Sequence, residues 1–146
     1  MSRLIFSLLD RSSYGTLYPA LNAAGLPTGD LDEPERRFFE LADGDSPIGF
    51  VGLEGDGPDL LLRSLIVFPG RKRQGNGGLL VAHAEAVARR DGARRLHLLT
   101  TTAGDFFRAR GYRDEDRAAA PMTIIISAQF AALCPGSASY LVKDLA

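Results

Sequence analysis

The spacing of apolar and polar residues predicts alternating strands and helices. Residues 4–9 are mostly apolar and stop at Asp10, which reads as a first strand. Ser12 or Ser13 can cap a helix in which Leu17, Ala20, Leu21 and Ala24 recur at i, i+3, i+4 and i+7 and mark one face. Gly25 suits the C′ position and Pro27 blocks continuation, so residues 26–30 read as a loop between this helix and a second short one. Strands at 37–42 and 48–53 follow, joined as a hairpin through the turn at 43–47. A Gly55-Asp56-Gly57-Pro58 turn leads into the apolar run 60–67, giving three antiparallel strands before the chain changes character.

That change comes through Phe68-Pro69-Gly70 and the basic, glycine-rich stretch Arg71-Lys72-Arg73-Gln74-Gly75-Asn76-Gly77-Gly78. A helix over 78–90 presents Leu80, Ala84, Val87 and Ala88 on one face, with Arg89 and Arg90 at the end where cations are favoured. With that helix as the crossover, the strand at 95–100 lies parallel to 60–67. A short helix at 104–109 stops at Gly111, and Tyr112 opens an extended segment. Residues 121–133 are ambiguous: Thr123, Ile124, Ile125 and Ile126 favour strand, while 128–133 favour helix. Residues 139–143 read as a last strand, and there is no repeat or linker.

Strand, glycine loop and helix together hold phosphates: the first helical N–H groups lack internal partners and the helix dipole adds positive potential. Two common phosphate motifs fail. A P-loop requires Lys and Ser/Thr after its second glycine, and here Asn76-Gly77 follow Gly75. A dinucleotide fingerprint requires a third glycine where Leu80 stands. What remains is Lys72-x-x-Gly75-x-Gly77 after a strand ending Leu65-x-Val67-x-Pro69.

This pattern resembles the acetyl-CoA signature of the GNAT superfamily of N-acyltransferases, [RQ]-x-x-G-x-[GA] after V-x-P, with Lys72 where Arg or Gln is usual. Ala103-x-x-Phe106-Phe107-x-x-x-Gly111-Tyr112 resembles the family's A-x-x-F-Y-x-x-x-G-F, and the order β-α-α-β-β-β-α-β-α-β-β matches over nearly the whole chain. The resemblance implies one α/β domain over 1–146, a mixed sheet flanked by helices, and acetyl-CoA as co-substrate. Residues 24–28, 62–65, 98–103 and 133–138 are similar to the arsenic-resistance N-acetyltransferase branch, whose members are associated with arsenic operons. A related branch acetylates the amine of an arsenic-containing amino acid. Carried onto this chain, the resemblance places the cofactor on Leu65, Ile66, Val67, Lys72, Arg73, Gln74, Gly75, Asn76, Gly77, Gly78, Thr100 and Phe107. The acceptor is expected near Arg63, Ser64, Thr101, Thr102, Leu26 and Thr28.

Acetyl transfer to an amine needs a bound thioester, a neutral amine and stabilisation of an oxyanion. The family's usual acid, the tyrosine of F-Y, is Phe107 here and has no proton to give. Tyr112, Tyr140, Ser64 and Cys134 are weak substitutes; a thiol pKa of roughly 8.5 also makes thiolate a tolerable leaving group unaided. The catalytic groups therefore stay unassigned. Arg63, inside an apolar strand, needs an anionic partner. That partner is either an anionic substrate or an internal carboxylate such as Glu54 or Glu40. His83 and His97 read as packing or hydrogen-bonding residues, and no metal-ligand constellation is present.

Composition narrows the class. At 146 residues, 45% hydrophobic and 24% charged, the chain can bury a core. A net charge of −1 argues against a dedicated nucleic-acid partner. A single cysteine, Cys134, fits a reducing, cytoplasmic setting without disulfides. The N-terminus does not read as a signal peptide, and no run is long enough to span a membrane. The expected partner is a small-molecule amine, with the protein a monomer or homodimer. Acetylation of a protein or peptide, and non-catalytic acyl-CoA sensing, stand as alternatives.

Overall fold

The computed structural model describes residues 3–72, 74–127, 130 and 138–145. Arg73, Cys134 and, Phe130 apart, the helix expected over 128–133 lie outside the described residues. Strands β1 (Leu4–Leu8), β2 (Arg36–Asp43), β3 (Ser46–Glu54), β4 (Asp59–Val67), β5 (Arg95–Thr100), β6 (Arg113–Asp114) and β7 (Ser139–Asp144) form one sheet in the order β1-β2-β3-β4-β5-β7-β6. Every neighbouring pair is antiparallel except β4 and β5, which run parallel as the helical crossover requires.

Helices cover both faces. Helix α2 (Asn76–Arg90) packs Leu80, Val81, Ala84, Val87 and Ala88 against Leu60, Leu62, Leu96 and Leu98. On the other face, α1 (Tyr14–Ala23) inserts Leu17 and Leu21 against Phe38 and Phe50. Because strand side chains alternate, Leu60 and Leu62 meet α2, while Leu61 and Arg63 point to the opposite side. Double coverage explains why β4 reads as an almost continuous apolar run rather than an alternating one.

Four expectations are corrected. No second helix forms between α1 and β2; residues 24–35 are turns and loop, with Glu35 at φ 63 and Asp30 buried in a long-range ion pair. The β2–β3 hairpin closes on Gly44 and Asp45 alone, since Asp43 pairs with Ser46 and Pro47 already lies in the strand. Pro47 pairs with Ala42 beside a register shift, a place where a missing N–H is tolerated. Thr123, Ile124 and Ile125 are helical, in α4 (Met122–Ile125): both Ile124 and Ile125 donate to the Pro121 carbonyl, and Ile124 is buried. Packing of that turn overrides β propensity. Helix α2 starts at Asn76, two residues before the expected start.

Two irregularities in β4 shape the molecule. Gly52 pairs with Arg63 and Phe50 with Ile66, so Val51 alone faces both Ser64 and Leu65: a β-bulge, with buried Ser64 held at φ 59. Pairing of β4 with β5 is confined to Asp59–Arg95, Leu60–Leu96 and Leu61–His97; beyond Leu61 the strands part. Gly52 lets the Arg63 side chain lie across β3, because a Cβ there would come within 2.8 Å of the Phe38 ring and 3.2 Å of Arg63 Cγ. Gly52→Ala is expected to cost about 1–3 kcal/mol by overpacking. A fall in the urea midpoint at unchanged m-value would show it, and an unchanged midpoint would mean that Phe38 yields freely.

Candidate active site

The parting of β4 and β5 opens a cleft of about 190 Å³. Its walls are Leu62 to Leu65 from one strand, Leu98 to Thr100 from the other, Thr101 to Ala103 and Phe107 beyond, and Gly25, Leu26 and Pro27 as a lip. Next to the same stretch of β4 lies the turn into α2. Gly75 precedes the helix at φ 77, a conformation suited to glycine. Asn76 is buried and its amide donates to the Arg71 carbonyl at 2.9 Å, fixing the loop from inside. The Leu79 N–H bonds to Gly75 O, so the earlier N–H groups of the first turn are left without an intrahelical acceptor, and no acidic side chain sits in that turn. An open helix N-terminus of this kind suits an anion.

The structure distributes the expected site residues unevenly. Ser64, Leu65, Thr100, Thr101, Thr102, Phe107, Arg63 and Leu26 all line the cleft. Gln74, Gly75, Asn76, Gly77 and Gly78 form the turn, and exposed Lys72 precedes it. Ile66 and Thr28 go elsewhere: Ile66 packs with Phe38 and Phe50 on the α1 side. Thr28 faces a separate groove of about 290 Å³ between α1 and the following loop, with Tyr14, Tyr18, Asp32 and Glu33. Val67 packs at the margin of the α2-side core. Thr100 Oγ1 accepts from the Ala103 N–H at 3.0 Å and so caps its strand end as well as lining the cleft.

Arg63 takes the internal alternative. Its side chain is fully buried and holds both Asp30 oxygens, at 2.5 and 2.7 Å, and Glu54 Oε1 at 2.8 Å. Arg36 reaches Asp30 and Glu54 from outside, at 3.0 and 3.4 Å, so two cations balance two anions. Glu40 takes no part in these pairs, and Asp30 is the partner that sequence reasoning missed: it lies 33 positions from Arg63, with no periodic signal linking them. Burial pushes the Asp30 carboxyl up, but the hydrogen bonds and charges of Arg63 and Arg36 outweigh it and hold the group below its ordinary value. The network ties the 24–35 loop, and with it the cleft lip, to β4.

Neither buried tyrosine is a cleft acid. Tyr112 belongs to the α2-side core and donates to Glu85 at 2.9 Å, with Lys143 on the same carboxylate; burial and the Glu85 charge push its pKa far up. Tyr140 is pushed up to about 12, first by burial and then by Glu115 and Asp59. Its hydroxyl lies 2.7 Å from His97 Nδ1, while His97 Nε2 lies 2.8 Å from Asp59. Burial holds His97 neutral against the pull of Asp59. A carboxylate only accepts, so Nε2 carries the proton and Nδ1 accepts from Tyr140. His83 stacks on Phe6 at 4.7 Å. Among the described residues no group of three or more His, Cys, Asp or Glu is placed to hold a metal, and no helix is long and apolar enough to cross a membrane.

Residues 5–112 match the model of the acetyltransferase (GNAT) family. The chain belongs to that family. No curated protein matches it in sequence. Among solved structures, N-acetylglutamate synthase from Neisseria gonorrhoeae, complexed with coenzyme A and N-acetyl-glutamate, superposes with a TM-score of 0.80 at 21% identity. All of this chain is covered but only 36% of that one, so the chain spans about a third of its length. A GNAT-family acetyltransferase from Staphylococcus aureus Mu50 has a TM-score of 0.80 at 14% identity, covering 99% of this chain and 100% of its own. An aminoglycoside 6'-N-acetyltransferase complexed with coenzyme A has a TM-score of 0.73 at 16% identity, covering 97% of each. At these identities the neighbours speak for the GNAT fold.

Within this GNAT domain, Asp30→Asn leaves Arg63 buried with one carboxylate fewer, which is expected to cost about 3–5 kcal/mol near neutral pH. Asp30 has a depressed folded pKa, so its contribution is full above its ordinary value of 3.8 and is lost as pH falls through the folded value. His97 is depressed from 6.5, so the neutral form is favoured on folding and its contribution fades as pH drops below that value. Denaturant midpoints against pH check both. Wild type weakens below about 6.5 and again below about 4; its gap to Asp30→Asn closes only in the lower range. A gap independent of pH would contradict the network.

Proposed function

We propose that this GNAT domain is an acetyl-CoA-dependent N-acetyltransferase acting on a small amine. The observation that carries the reading is the junction of the parted β4–β5 cleft with the open N-terminus of α2. The residues fit the group. The N–H groups from Gln74 to Gly78 would hold a pyrophosphate, with Lys72 and Arg73 adding charge, and Gly77 and Gly78 let neighbouring groups close on the first turn. The backbone of β4 at 65–67 would run beside pantetheine, with Thr100 and Phe107 on the opposite wall. The bound co-substrate supplies an activated acetyl thioester. Leu62, Leu65, Leu98, Leu99 and Phe107 keep water from it, and the bulge at Ser64 turns β4 backbone toward the cleft.

The proton inventory of the cleft is short. Among the described residues its side chains offer the hydroxyls of Ser64, Thr100, Thr101 and Thr102, while the Arg63 side chain is held by Asp30 and Glu54. With no carboxylate, imidazole or tyrosine among the described wall residues, the amine reacts in the fraction that arrives neutral, and the thiolate leaves without a tyrosine acid. An acidic, amino-acid-like acceptor, and a role in arsenic resistance within the cytoplasm, are finer readings supported by the resemblance of residues 24–28, 62–65 and 98–103. The charge of Arg63 no longer supports them, since Asp30 and Glu54 balance it.

Thiol release from acetyl-CoA, measured across amino acids, arsenic-containing analogues, polyamines, aminoglycosides and peptides, tests this reading. Turnover is expected with at least one small amine. For the best acceptor, kcat/KM should rise about tenfold per pH unit and level off at the pKa of the acceptor amine. A plateau set instead by one enzyme pKa, identical for all acceptors, would reveal a base that the cleft walls do not show. Tight CoA binding without turnover on any amine, unrestored in Phe107→Tyr, would replace the enzyme by a sensor.

A further inference from the structure

Arg110 stands apart from the other cations near the cofactor cradle. It follows α3 (Gly104–Arg108) by two residues and is half-buried. Within α3, Arg108 is held by Asp114 and Asp105. Arg110, by contrast, has no carboxylate partner among the described residues. Its Nη1 donates to the Phe106 carbonyl at 2.9 Å, and its Cζ lies 3.7 Å from the Phe106 ring centroid. The pair is thereby fixed in place, because carbonyl and ring together restrain a side chain that would otherwise sample many rotamers.

Where it is fixed matters. A Cβ on Gly78 would lie 3.0 Å from Arg110 Nη2 and 3.2 Å from Nε, and a Cβ on Gly77 would lie 3.1 Å from the Phe106 ring. The guanidinium therefore lies against the first turn of α2 at Gly78, the turn whose leading N–H groups lack partners. Nε and Nη2, the two nitrogens nearest Gly78, donate to no protein acceptor among the described residues. Two parallel N–H donors on one edge of a guanidinium are the arrangement that grips a phosphate side-on.

Resting on the cofactor reading above, we propose that Arg110, held by Phe106, binds the cofactor pyrophosphate at the first turn of α2 through Nε and Nη2. Sequence matching does not point to it, since the family motif fixes Phe106, Phe107, Gly111 and Tyr112 but leaves the position of Arg110 open.

Calorimetric titration of CoA and of dephospho-CoA into wild type, Arg110→Gln and Arg110→Lys tests the assignment without relying on turnover. Loss of a charge-assisted pair predicts that Arg110→Gln binds both ligands about 10- to 100-fold more weakly, at an unchanged melting temperature. Arg110→Lys keeps the charge but not the fork and falls between the two; should the glutamine variant not fold, a several-fold loss in the lysine variant carries the test. Binding by Arg110→Gln within twofold of wild type would overturn the proposal. A loss for CoA but not dephospho-CoA would assign the contact to the 3′-phosphate and overturn the pyrophosphate assignment. If wild type binds neither ligand, the cofactor reading itself falls, and this inference with it.

Discussion

The divergence of two parallel strands after three rungs is the constraint on which the site depends. Backbone N–H and C=O groups on the facing edges of β4 and β5 lose their ladder partners beyond Leu61, inside a sheet that is otherwise paired. Buried backbone groups need partners, so such a gap persists only where water or a ligand supplies them. The bulge at Ser64 re-aims β4 at the start of the gap, and β7 takes up the far edge of β5 through Thr100, which keeps the second wall in place. The glycine turn and α2 then follow directly from β4, so one strand leads from the cleft wall to the open N-terminus of α2.

A second constraint keeps the opening from collapsing or fraying. Arg63 sits one residue before the bulge, wholly buried, and binds Asp30 from the lip loop and Glu54 from β3. A charge in this position would be costly alone. Here the carboxylates neutralise it, Gly52 makes room for its stem, and Phe38 packs beside it at 5.7 Å from the ring centroid. The lip that closes one side of the cleft is thus anchored to the wall it covers. Among the described residues the cleft presents shape and hydroxyls and no free charge.

Much of this was legible in the sequence because it rests on local signals. Apolar runs and turn residues marked β2, β3, β4 and β5, and Gly75-Asn76-Gly77-Gly78 with the preceding strand marked the cradle. What escaped depends on long-range pairing. Asp30 gave no sign that it would neutralise Arg63, and its burial draws residues 24–35 into a loop where a second helix was expected. Ile124 chose a buried place in a single helical turn over the strand that three successive isoleucines favour. Tyr112 was separated from the cleft by Glu85, 27 positions away. Arg110 carried no motif, because its importance comes from the missing side chains of Gly77 and Gly78 on another element.

The central claim is that the turn into α2 and the open stretch of β4 bind one ligand, CoA, together. Backbone amide NMR during a CoA titration tests it most directly, since N–H groups that donate to a phosphate shift strongly. The account predicts the largest shifts at Gln74, Gly75, Asn76, Gly77 and Gly78, with a second set at Leu65 and Val67 saturating at the same CoA concentration. Shifts gathered instead around Tyr14, Tyr18, Asp32 and Glu33, or none at all, would contradict it.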